Sequence, residues 1–127
     1  MEKYVLHEGQ SDVKLDIEVD YENGSQMTLA ELQAAQSIKI KYLFKDNDDE
    51  DNDVGGEWTA TGFRLDNGIP IVYYLFDKVI NEEGEEVDEI VPLNCSRLLG
   101  RVEIVDAAGK KSIGRTFSIQ VLKDELN

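Results

Sequence analysis

The chain has 127 residues, 41% of them hydrophobic, and its 27 Asp and Glu against 13 Lys and Arg give a formal net charge of −14. That length can bury a core without staples and that apolar content is too high for a wholly disordered chain, so a single domain over 1–127 is expected. The acidity excludes non-specific nucleic-acid binding, the lone Cys95 excludes an internal disulfide, and no apolar run nears the ~20 residues that span a bilayer.

Asp12–Tyr21 (DVKLDIEVDY) alternates strictly, with Val13, Leu15, Ile17, Val19 and Tyr21 on one face and charged residues on the other. Period-two alternation of this kind predicts a strand with one buried and one wet face. Asn23–Gly24 supplies a turn. A short helix follows at about 28–35: Thr28 and Glu31 form a capping box, and Leu29, Leu32 and Ala35 share a stripe. Two turns of helix are marginal alone, so it must dock on a sheet.

Ser37–Phe44 (SIKIKYLF) alternates again, with Ile38, Ile40, Tyr42 and Phe44 inward. An acidic loop is expected at 45–56, containing DNDDEDND. Glu57–Leu65 and Ile69–Phe76 flank Asn67–Gly68, the strongest short hairpin signal. A second hairpin turns at Asn81–Gly84 within an acidic loop at 81–89 and returns through Val87–Val91. A last hairpin joins Gly100–Val105 to Ile113–Leu122, with Val102, Ile104, Phe117, Ile119 and Val121 facing the core. Seven to eight strands with turns every 8–12 residues predict an all-β fold, an antiparallel β-sandwich.

The segment VEIVDAAGKKSIGRTFSIQV, residues 102–121, resembles the final hairpin of immunoglobulin-like domains, where a strand ending in an Asp turn leads into a Thr-Phe-x-Ile-x-Val strand. The resemblance implies an immunoglobulin-like sandwich, with a C2-like sandwich as the alternative. The Cys…Trp…Cys framework of true immunoglobulin domains is absent, because Cys95 has no second cysteine.

Three candidate chemistries follow. Asp49, Asp51 and Asp53 have the two-residue spacing with which carboxylates on a turning backbone can ligate calcium. The EF-hand template fails, since Val54 stands at its glycine and Ala60 at its bidentate glutamate. If Asn67 and Gly68 form a two-residue loop, the register puts Gly62 opposite Tyr73 and sets Trp58 and Tyr73 together on a second apolar face. Either the short helix covers that face, or Trp58 and Tyr73 form a partner surface. Catalysis has little to draw on: His7 is the only histidine, and phosphate loops, zinc patterns and Gly-x-Ser-x-Gly are missing.

The expected function is therefore a non-catalytic acidic protein-binding module: an adaptor, an inhibitor of the immunity type or an assembly subunit. Its partner would be a basic protein or a second copy. No cofactor is expected, save calcium if the 46–53 loop makes a calcium-dependent module. A nucleic-acid mimic that inhibits a basic protein is the third reading. A chain starting at Met1 with no leader-like stretch is expected to be cytoplasmic.

Overall fold

A computed structural model describes residues 3–21, 23–46, 49–92 and 95–123. In chain order it forms β1 (Lys3–His7), β2 (Val13–Glu18), α1 (Leu29–Ala34), β3 (Ala35–Asp46), β4 (Asp49–Thr59), β5 (Gly62–Asp66), β6 (Ile69–Phe76), β7 (Lys78–Ile80), β8 (Glu86–Asp88), β9 (Arg97–Asp106), β10 (Lys111–Ile113) and β11 (Phe117–Leu122). Strands take up 64% of the chain and the helix is small, so the molecule is mostly β, as the alternation predicts.

The larger sheet runs β1-β11-β9-β3-β4, with β10 paired to β9; a second sheet runs β2-β6-β5, and β7 and β8 form a hairpin of their own. All pairings are antiparallel except β1 with β11, which is parallel. The larger sheet is thus mixed, and among the described residues eleven strands stand where seven or eight are expected. The additions are β1, β7 and β10, short pieces whose alternation is too brief to stand out, and the division of Glu57–Leu65 between β4 and β5.

The buried faces of both sheets contribute to one apolar cluster. Leu15 and Ile17 of β2 and Val72 and Phe76 of β6 join Ile40, Trp58, Leu98, Val102, Phe117 and Ile119 of the larger sheet. The inward sets read from the alternation of β2, β3, β9 and β11 are found there, with Val13, Tyr21, Ile38, Tyr42 and Phe44 partly buried at its margin. Met27 and Leu32, fully buried, bring α1 onto this core. Thr28 caps the helix as its sequence requires: its hydroxyl accepts from Glu31 N at 3.1 Å, while Glu31 Oε1 accepts from Thr28 N at 3.2 Å.

Two expectations change. The segment 45–56, read as an acidic loop, is mostly strand: β4 begins at Asp49 and pairs with β3, where Lys45 faces Asp53 and Phe44 faces Val54. Pairing with β3 overrides the low strand propensity of a carboxylate-rich run. Glu57–Leu65 is also not one strand. Ala60 N donates to Ile38 O, and Thr61 N donates to Tyr73 O, so the chain leaves the larger sheet and enters the smaller between these two residues. The hairpin beyond the crossing keeps the predicted register, with Asp66 opposite Ile69, Phe63 opposite Val72 and Gly62 opposite Tyr73. Asn67 and Gly68 both have positive φ, 51° and 82°, the backbone a two-residue type I′ turn demands.

Candidate functional site

Sheet crossing decides the fate of the proposed aromatic surface. Trp58 sits on β4 opposite Ile40 and is 6% exposed, packed on Tyr42, Tyr74 and Phe76 with ring centroids 4.4, 5.4 and 5.1 Å away. It is a core tryptophan and does not share a face with Tyr73; the expected Trp58–Tyr73 surface is corrected accordingly. Tyr73 lies on the outer side of the smaller sheet. Lys14 Nζ and the Arg64 guanidinium lie 5.2 and 5.6 Å from its ring centroid. Arg64 is held there by a two-pronged bond to Asp16, 3.0 Å on each arm, which also keeps the Asp16 carboxyl below its ordinary range.

Asp49, Asp51 and Asp53 all belong to β4. Alternate residues of an extended strand stand about 6.6 Å apart, unlike the turning backbone that gathers ligands around one ion. The side chains of Asp49 and Asp51 lie outside the described residues; Asp53 is exposed. Among the described residues no three His, Cys, Asp or Glu side chains cluster as a metal site.

Nucleophile and base are not brought together either. Cys95 is buried, and that burial raises its thiol pKa, while His7 stands exposed on β1. Tyr74 donates to Glu89, and burial followed by this bond pushes its phenol pKa above the ordinary value of 10. These shifts come from packing.

A different site emerges on the outer face of the larger sheet. Register pairs Lys39 with Glu103, Lys41 with Arg101 and Leu43 with Leu99 across β3 and β9, and Lys41 with Glu57, Leu43 with Gly55 and Lys45 with Asp53 across β3 and β4. Strand alternation turns all of these outward. Leu43 and Leu99 are 47% and 39% exposed, side by side where a wet sheet face should be polar. Gly55 adds no side chain beside Leu43, and two shallow grooves of about 390 and 420 Å³ flank the leucine pair.

Cations surround the leucines. Lys39, Lys41, Lys45, Arg97, Arg101 and Lys111 belong to this face, a large share of the 13 Lys and Arg in a chain of charge −14. Each central carboxylate serves two of them: Glu57 binds Lys39 at 2.5 Å and Lys41 at 2.8 Å, and Glu103 binds Arg101 at 3.0 Å and Lys111 at 3.3 Å. Hydrogen bonds from Lys39 and then Lys41 draw the Glu57 carboxyl down to about 2. Burial opposes ionisation of Glu103, but the bonds from Lys111 and Arg101 outweigh it and its pKa is lowered. The Glu57 pairs are exposed and stabilise little singly, whereas Glu103 is buried beneath its two cations. Here they fix a positive rim around an apolar centre.

The sequence held a signal for this face, a leucine at an outward position of Ser37–Phe44, and its partner went unseen for a definite reason. Starting the ninth strand at Gly100 leaves Arg97–Leu98–Leu99 outside the sheet, whereas β9 begins at Arg97. No described helix is long and apolar enough to cross a membrane. No family model, curated protein or solved structure matches the chain.

Proposed function

We propose that the chain is a non-catalytic protein-binding module of immunoglobulin-like architecture that binds through the outer face of β4, β3 and β9. Strand order supports the architecture: β2-β6-β5 against β11-β9-β3-β4 follows the B-E-D and G-F-C-C′ orders of immunoglobulin sheets. It departs from them in the helix before β3 and the hairpin inserted between β6 and β9. Hydrophobic residues fill the centre that a disulfide would otherwise occupy, Ile17 and Leu98 among them.

The observation that carries the binding reading is the exposed Leu43–Leu99 pair ringed by cations. A contiguous apolar centre with a charged rim is the anatomy of a protein interface, the centre supplying affinity and the rim orientation and on-rate. Among the roles expected for an acidic module, an assembly subunit fits such a face best. The test is affinity capture from the source organism's lysate with the wild-type chain and with Leu43→Asp/Leu99→Asp, after confirming equal melting temperatures. The expected result is a partner retained by the wild type and lost by the variant. Identical captured sets from both proteins would refute the face.

A further inference from the structure

We propose that the Leu43–Leu99 face receives the β7–β8 hairpin of a second copy of this chain, giving a head-to-tail assembly. This rests on the reading of that face as a binding surface and names what occupies it. The hairpin is its chemical counterpart. Between Asp77 and Glu89 the sequence places seven acids against the single Lys78. Amid these charges Val79, Ile80 and Val87 are exposed, Ile80 at 68%. Branched apolar side chains set among carboxylates, Val79 and Val87 on one side of the hairpin and Ile80 on the other, are offered to two grooves beside a leucine pair set among lysines and arginines, with Asp53 at the rim of one groove. Charge and apolar content both call for the same occupant.

The hairpin is built to project. Asn81 shapes its tip, accepting from Glu83 N and Glu85 N on its side-chain oxygen, and Gly84 takes φ 79°. Its strands pair only with each other, and Lys78 bonds Asp88 across them. It is anchored to the body at its base, where Tyr74 donates to Glu89 and Val91 N donates to Gln10 O. A lone two-stranded hairpin is marginal in water, so docking its apolar side chains on another copy supplies the missing third layer. Face and hairpin are different surfaces, so the contact is heterologous: every bound copy keeps one face or one hairpin free, and assembly proceeds to a ring or an open chain.

Sedimentation equilibrium of the full chain tests this, with charge reversal on each side. In Lys41→Glu/Arg101→Glu, Glu57 keeps Lys39 and Glu103 keeps Lys111, so the sheet retains an ion pair at each carboxylate. Glu85→Lys/Glu86→Lys reverses the hairpin. The wild-type mass should rise above the 14.3 kDa monomer over concentrations on the order of 10 µM to 1 mM. Each variant alone, and Leu43→Asp/Leu99→Asp, should self-associate about tenfold more weakly with unchanged circular dichroism. Mixing the two charge-reversed variants should restore assembly, as the reversed face of one meets the reversed hairpin of the other. A wild type that stays at monomer mass throughout, or a mixture no heavier than its components, overturns the head-to-tail contact. If the wild type is monomeric while Leu43→Asp/Leu99→Asp still loses a captured partner, the face binds something other than this hairpin. If that variant captures as the wild type does, the face itself is wrong and the proposal falls with it.

Discussion

Trp58 shows how one residue's fate depends on which sheet it joins. Buried among Tyr42, Tyr74 and Phe76, it ties the two sheets together, so Trp58→Ala should cost about 3–5 kcal/mol of stability, as for a core aromatic. As the only tryptophan it also reports directly: native emission should be strongly blue-shifted, and a spectrum like that of free tryptophan would contradict the packing. Glu57 offers the second residue-scale prediction. Its folded carboxyl titrates at about 2 against an ordinary 4.5. A depressed folded pKa contributes stability above the unfolded value, and this is lost as pH falls from about 4.5 toward 2. The melting temperature of Glu57→Gln should therefore fall less steeply than that of the wild type across that acid window. Parallel curves would show that Lys39 and Lys41 do not hold the carboxylate in solution.

At the scale of elements, α1 is short enough that its cap decides it. Thr28→Ala removes the acceptor for Glu31 N and should cost about 1 kcal/mol, measured by chemical denaturation. The same change in a Glu31→Ala background should cost less, because the reciprocal bond is already gone; equal costs would mean the box does not couple the two residues. This element was legible because its signals are local: a cap, its partner three residues on, and an apolar stripe. The Asn67–Gly68 hairpin was legible for the same reason, since the turn fixes the register. Crossing between sheets at Ala60–Thr61 left no such mark. A lone glycine, Gly62, follows it where β5 begins, but the alternation runs on, and it is the hydrogen-bond partners, Ile38 on one side and Tyr73 on the other, that reveal the change. The candidate face was half-legible in Leu43 and hidden in Leu99, for its meaning lies in the pairing of two strands more than 50 residues apart.

For the whole molecule, charge is unevenly dealt. The outer face of the larger sheet holds a cationic ring, while most of the 27 acids lie elsewhere in the chain. Self-repulsion at −14 opposes compaction, so added salt on the order of 0.5 M should raise the melting temperature as it screens that repulsion. A fall instead would mean that ion pairs such as Glu57 with Lys39 and Lys41 outweigh the net charge. The acidic start of β4 has a structural use at this scale. It lies on an edge of the sheet, where carboxylates discourage another strand from adding on. The opposite edge has a mechanical consequence. β1 runs parallel to β11 with Lys3 beside Ser118 and His7 beside Leu122. Tension between the first and last strands therefore pulls along their common axis, loading their slanted backbone bonds together in shear rather than peeling them one by one. A link in a strained assembly would yield last along this seam.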